Sequence, residues 1–248
     1  MPMRLQRVIF CGGMLVRVFV LFPQLALGQI SPGGTRTAAS HALPNVTGYW
    51  ELHFDSKNVP PAALSPEIAA EDKIVQYKRD MAEIRWCHFM GVPYSMDGSP
   101  IDILQNLNGK EIVITSSLRT PARHIYTDGR SHVNPDIFDP VSNGHSIGHW
   151  EGDTLVVDTI GFSNEGLTSI PGGGRRTPDS HLVEQFRLLE GGNQLSVVST
   201  WEDAKIFTKP HTYEFRYYRS PKGMEAREFD CNANDEQRAK FLLGIPGN

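Results

Sequence analysis

The chain opens on one long apolar run and continues in short alternations of apolar and polar residues. After Arg4 and Arg7, positions Val8 to Leu27 are apolar except at Gly12, Gly13, Arg17, Pro23 and Gln24. The run ends on Ala26, Leu27 and Gly28, with small residues at the −3 and −1 positions of a signal-peptidase site, so residues 1–28 read as an export signal cleaved after Gly28. The rival is an uncleaved anchor. Arg17 speaks against it, because a charge at the centre of a spanning helix costs about 2.5–3.5 kcal/mol. The apolar stretches on either side of Arg17 are also too short to span alone. Residues 29–44, rich in Gly, Ser, Thr and Ala, read as a flexible leader, and 45–248 as a single β-rich domain.

Within that domain, Trp50, Leu52 and Phe54 alternate with Glu51 and His53, the mark of a half-buried strand. One long helix is predicted next. Ser65 is placed as its N-cap and Pro66 at its first position, with Ile74, Tyr77, Met81 and Ile84 at helical spacing. Beyond a Pro/Gly-rich passage, strands are predicted at 111–116, 122–127, 144–150, 153–160, 181–189, 194–201 and 211–218. Hairpin turns fall at Glu151-Gly152-Asp153 and Glu190-Gly191-Gly192-Asn193, because glycine takes the positive φ that tight turns need. Residues 161–180, with Gly172–Gly174, read as a mobile loop, and 234–243 as a short C-terminal helix. The expected fold is mainly β: an antiparallel, lipocalin-like barrel or strongly curved sheet with one long N-terminal and one short C-terminal helix.

Charge and cysteines narrow the setting. The signal holds three of the chain's 24 basic residues and none of its 28 acidic ones, so the remainder is acidic, at 21 against 28. That disfavours nucleic acid and anionic membrane as partners, and no later segment is apolar enough for membrane insertion once the signal is removed. Cys11 leaves with the signal. Cys87 and Cys231 remain, and in an oxidising compartment they most simply form one disulfide. Two unpaired buried thiols or a catalytic thiol are the alternatives. The expected location is the periplasm or the medium, and no pattern selects an oligomeric state.

The opening Gly48-Tyr49-Trp50 resembles the G-x-W start of lipocalin-type barrels. A longer likeness runs through Arg123–Arg130, Gly144–Phe162, His181–Arg187, the Thr208-Lys209-Pro210 turn, and Cys231-Asn232. With its core of Ile125-Tyr126-Thr127-Asp128-Gly129-Arg130 and Gly148-His149-Trp150-Glu151-Gly152-Asp153-Thr154, it resembles a large family of exported bacterial proteins, frequent in acidobacteria and related soil bacteria. That resemblance implies export and a β-rich fold, and no particular reaction.

Strand parity points to the candidate chemistry, since alternate residues face opposite sides. Leu182, Phe186 and Leu188 share a face with Glu184. A carboxyl carried into an apolar interior is costly unless paired and is a candidate general acid or base. The rival is an ion pair with an arginine such as Arg187 or Arg216. Asp158 lies beside Val156 and Ile160 by the same argument, as a ligand-orienting or purely structural acid. His145, Ile147 and His149 share one face, and His124 shares a face with Tyr126 and Asp128. If these strands pair, imidazoles and a phenol converge. Tyr213, Phe215 and Tyr217, with Trp150, line a ligand cavity or simply the core. Gly172–Gly174 before Arg175 and Arg176 is either an anion site or a solvated loop. No metal motif is present, nor a G-x-S-x-G elbow, a phosphate loop or a dinucleotide fingerprint, so neither metal nor cofactor is expected. The leading expectation is an exported β-barrel enzyme doing cofactor-independent acid–base chemistry, of isomerase, lyase or cyclase type, on a small apolar or cyclic molecule. A non-catalytic carrier of the same shape is the second reading, and a metal-dependent hydrolase the third.

Overall fold

The computed structural model describes residues 43–53, 59–71, 78, 80–82, 88–97, 100–116, 121–134 and 136–221. The predicted signal, nearly all of the predicted leader, Cys87, Cys231 and the predicted C-terminal helix lie outside these residues. Nine strands close into a barrel in chain order: β1 Gly48–Leu52, β2 Ile101–Gln105, β3 Glu111–Ser116, β4 Arg123–Tyr126, β5 His145–Glu151, β6 Thr154–Ile160, β7 His181–Leu189, β8 Gln194–Glu202 and β9 His211–Arg219. Closure joins β1 to β9 through Trp50↔Arg219 and Leu52↔Tyr217, and Arg219 lies over the Trp50 ring at 4.2 Å. A closed ring leaves no unpaired sheet edge.

Alternation explains the core. Ile101, Ile103, Ile112, Ile114, Leu155, Val157, Leu182, Phe186, Leu195 and Val197 are all buried in one cluster. Trp50, Trp201, Tyr213, Phe215 and Tyr217 join it, so the aromatic stripe of β9 is core rather than the lining of a ligand cavity. Their polar ends are satisfied there: Trp201 Nε1 donates to Tyr213 Oη at 3.0 Å, and Tyr217 Oη donates to the Met96 carbonyl at 2.6 Å. Trp150 is half-buried and packs against the same cluster. The interior is therefore filled with side chains, as in small barrels generally.

Two expectations are corrected. The barrel is antiparallel at every junction but one: β4 and β5 run parallel, paired at Ile125↔Ser146 and Tyr126↔Ile147. A parallel pair needs a crossing connection, and residues 127–144 supply it across the outer face. Ser65 does cap a helix, its hydroxyl accepting from Ile68 N at 3.5 Å, with Pro66 in the first turn. That helix, α1 Pro66–Ala69, stops after one turn, at Ala70 and a bend at Glu71. Residues 72–77 lie outside the described set, the described residues Lys78, Asp80, Met81 and Ala82 beyond them are helical, and a further single turn, α2 Tyr94–Asp97, precedes β2. β2 itself was not expected, although Ile101 and Ile103 alternate with Asp102 in the manner of a strand.

The predicted hairpins are present. Gly152 turns β5 into β6 with φ +62°, and the 190–193 turn contains Gly191 at φ +65°. The stretch 161–180, by contrast, is packed: Phe162, Leu167, Ile170 and Arg176 are all buried.

Candidate functional site

Two polar constellations emerge, one inside the barrel and one outside. Inside, Glu184 does point inward, as parity predicts, and is 1% exposed. Its carboxylate is held by Arg123 rather than by Arg187 or Arg216: Nη1 donates to Oε1 at 3.1 Å and Nη2 donates to Oε2. Arg123 also donates from Nε to Ser146 Oγ at 3.2 Å and from Nη2 to Thr159 Oγ1 at 3.0 Å. Arg187 and Arg216 instead pair on the surface, with Asp153 and Glu214. Both oxygens of this carboxylate accept from one bidentate guanidinium inside a packed core. The geometry gives Glu184 a structural role.

Outside, the four-residue β4 and the parallel β5 place the other candidates together. The buried partners on these strands are Arg123, Ile125 and Ser146, so His124, Tyr126 and His145 face outward. The strands pair as the convergence required, and Tyr126 and His145 lie with ring centroids 5.7 Å apart. His124 stacks against Tyr126 at 6.4 Å and bonds Glu111 through Nδ1 at 2.8 Å. His149 does not join them. It is exposed two residues further along β5, paired to Glu151 at 2.9 Å.

The 127–144 crossover contributes two groups that no periodicity marks, His132 and Phe138. Phe138 meets the His145 ring edge-on at 5.8 Å and packs where Gly161 has no side chain; a Cβ on Gly161 would stand 2.7 Å from its ring. His132 Nδ1 lies 2.8 Å from His145 Nδ1, and His132 Nε2 lies 3.0 Å from Asp158 Oδ1. The same oxygen receives His181 Nε2 at 3.1 Å, and His181 Nδ1 reaches Glu202 at 3.3 Å. Asp158 therefore lies on the outer face of β6 and joins two histidines from different segments.

One tautomer pattern satisfies both contacts: the Asp158 carboxylate only accepts, so His132 donates from Nε2, and His145 donates from its own Nδ1 to the lone pair on His132 Nδ1. In that pattern the remaining His145 nitrogen, Nε2, carries a lone pair. His145 is 8% exposed and forms the wall of a cavity of about 270 Å³ with Pro121, Tyr126, Phe138, Val141 and Asn143. Burial, reinforced by His132 and Arg130, pushes the His145 pKa below the usual histidine range. The ring is thus neutral at neutral pH and able to accept a proton. Beside it, Arg130 lies over the Tyr126 ring at 3.9 Å and grips Asp128, holding that carboxyl at about 2.

The lowered pKa carries a stability consequence. A histidine that titrates lower folded than unfolded makes the unfolded chain the better proton acceptor between the two values. Its contribution is present above the ordinary histidine pKa of about 6.5 and lost as pH falls through the folded value. Urea midpoints are expected to fall between pH 7 and pH 5 with a slope that His145→Gln reduces; an unchanged slope would remove the buried neutral imidazole from the account.

Backbone geometry around the cavity is equally constrained. Gly91 has φ +61°, and a Cβ there would lie 2.1 Å from the Ser142 carbonyl oxygen. Gly91→Ala combines this clash with a left-handed penalty of about 1–2 kcal/mol. A drop in Tm of at least about 2–4 °C is expected in a thermal melt; no drop would mean that the two segments do not meet.

Among the described residues, no group of three or more His, Cys, Asp or Glu is arranged to hold a metal ion, so the hydrolase reading finds no ligand set here. No described helix is long and apolar enough to cross a membrane. Comparisons with protein-family models, with curated proteins and with solved structures return no match. The class that can be stated is a closed nine-stranded β-barrel with an imidazole–carboxylate chain on its outer wall.

Proposed function

We propose that this protein is an exported enzyme doing cofactor-independent acid–base chemistry, of isomerase, lyase or cyclase type, on a small, largely apolar or cyclic molecule bound beside His145. The reading rests on one observation: His145 lines an apolar cavity and heads a chain through His132 to Asp158, which in one tautomer pattern leaves a lone pair on His145 Nε2. When Nε2 takes a proton from substrate carbon or oxygen, the Nδ1 proton passes to His132 Nδ1. The positive charge then rests on His132, facing the Asp158 carboxylate. Returning the proton to another substrate atom restores the starting state, so no net oxidation or hydrolysis is required. Tyr126, between His124 and His145 and in the wall of the same cavity, supplies a hydroxyl donor for a developing oxyanion. The apolar run with its cleavage pattern at Ala26–Gly28 supports export to the periplasm or medium.

The test is proton exchange. The full protein is incubated in deuterated buffer with a panel of apolar cyclic ketones and enones, and deuterium at carbon is read by mass spectrometry. Incorporation by wild type that is lost in His145→Gln is the expected result. Unchanged incorporation in that variant would count against His145 as the base. Binding without any exchange would favour the carrier reading.

A further inference from the structure

The connection between the parallel strands β4 and β5 is fastened at both ends. Thr127 donates from its amide to the Lys110 carbonyl at 2.9 Å and from its hydroxyl to the Gly109 carbonyl at 2.8 Å. Val141 donates to the Gly161 carbonyl at 3.2 Å, and its own carbonyl accepts from Ser163 at 3.0 Å. Between these anchors the described residues form a strap over the outer wall, exposed everywhere except at the half-buried His132 and Phe138. Three residues carry its polar and ring contacts to the barrel. Arg130 lies over Tyr126, Phe138 meets His145 edge-on, and His132 alone among the described residues of the strap hydrogen-bonds the wall. Two of the three contacts end on His145, and Phe138 is the strap's share of the His145 cavity wall.

The contact between the two imidazoles holds one hydrogen and no more. With the Nδ1 atoms 2.8 Å apart, one must donate and the other accept. A neutral pair meets this, and so does a pair with one added proton, its charge on His132 beside Asp158. An imidazolium donates from both nitrogens. When both rings are charged, two N–H groups face each other and two cations touch.

The attraction of a charged His132 to Asp158 opposes release, and it is weak. The Asp158 side chain is 41% exposed, where water screens an ion pair, and the same oxygen is shared with His181. Asp158 therefore keeps a partner when His132 departs. The other charged and titratable groups around the pair are Arg130, gripped by Asp128, then Tyr126, and beyond it His124 with Glu111; past Asp158 lie His181 and Glu202. Arg130 adds to the repulsion, and neither Asp128 nor Glu111 bonds an imidazole of the pair.

We propose that residues 128–140 form an acid-released cover of the His145 cavity, closed while the two Nδ1 atoms share one hydrogen and open once both rings are charged. Release takes Phe138 out of the cavity wall and opens His145 to solvent. The closed form binds fewer protons than the open one, so falling pH favours opening. Burial first, then His132 and Arg130, keeps His145 uncharged below the ordinary histidine pKa of 6.5, which puts the step on the acid side of that value. The cover stands whether or not His145 serves as a base, since it depends only on what the two rings can share.

Fluorine NMR of the full chain with 4-fluorophenylalanine placed at position 138 alone tests this. Near neutral pH the resonance is expected away from its position in the urea-unfolded chain. On acidification to about two units below the ordinary histidine pKa it should move reversibly to that position, with the near-ultraviolet circular dichroism of the barrel interior unchanged. His132→Gln and His132→Asn should each lose the acid step, and His149→Gln, on an exposed ring outside the pair, should keep it. A resonance that stays in place on acidification overturns the proposal. So does a step that persists in both His132 variants, or one that coincides with loss of the near-ultraviolet signal. Proton exchange in His145→Gln bears on the base alone, and the acid step in the His132 variants on the cover alone.

Discussion

Glu184→Ala is expected to cost about 3–5 kcal/mol of folding stability, because it strands Arg123 as an unpaired charge in the core. Arg123 is 2% exposed, and every polar atom near it is spoken for: two contacts to Glu184, one to Ser146 and one to Thr159, the last two bonded to each other at 2.9 Å. Removing the carboxylate strands two donor hydrogens of Arg123 and creates a hole between β6 and β8. A domain of this kind has about 5–15 kcal/mol to lose, so the variant should be at the edge of folding at 37 °C. Replacing both partners, Arg123→Met with Glu184→Leu, removes the charge together with its need for a counter-charge. Buried pairs exchanged for apolar groups of similar volume are often neutral or stabilising. Urea denaturation of the single and double variants reads the difference directly. A single-variant loss below about 1 kcal/mol would mean that water reaches Arg123 and that the interior is less closely packed than described.

His145→Gln should lower the exchange rate by about 10²–10⁴, the usual contribution of a positioned general base. Glutamine keeps a donor near His132 but offers no basic nitrogen. Asp158→Asn is the sharper probe. The carboxylate fixes the His132 tautomer through Nε2, and an amide in its place can present a donor to that nitrogen, reversing the direction of the chain. A loss approaching that of His145→Gln, with an unchanged urea midpoint, is the expected outcome. If Asp158→Asn destabilises the fold but leaves exchange intact, the chain is a surface network that ties β6 to β7 and nothing more. Because these groups stand on the outer wall and Glu184 stands inside, the two sets of variants should separate cleanly: one moves stability, the other turnover.

That separation was only half legible in the sequence. The alternations that flagged β3 and β5 to β9 are strong because one face of each strand is apolar, and the same alternation took Glu184 inward correctly. Its partner was not legible. Arg123 is 61 residues away in sequence and meets Glu184 across the barrel interior, and parity says nothing about which strands face each other. The pairing of β4 with β5 could be stated only as a condition. It is parallel because the connection 127–144 carries the chain back to the end at which β4 begins, where a tight turn would have reversed it. His132 and His181 were overlooked for a related reason. One sits in an aperiodic connection and the other at the first residue of β7, so neither belongs to a pattern, and only the register Asp158↔Val183 brings His181 within reach of Asp158. For Tyr213, Phe215 and Tyr217, with Trp150, the sequence leaves cavity lining and core open, because parity shows a shared face and not the width of the ring that those side chains fill.

The parallel seam has a thermodynamic consequence. β4 and β5 share two register pairs, fewer than any other junction in the ring, and the His145 cavity is built from residues on both sides of that join. Opening of a β-structure starts where the ladder is shortest, so amide exchange near Tyr126 and Ile147 should report the lowest opening free energy of the ring. A ligand that touches both strands is bound only by the closed form, and it stabilises that form in proportion to the logarithm of its concentration over its Kd. A molecule bound across that seam would then also be the clasp of the barrel, and occupancy and integrity become two readings of one equilibrium.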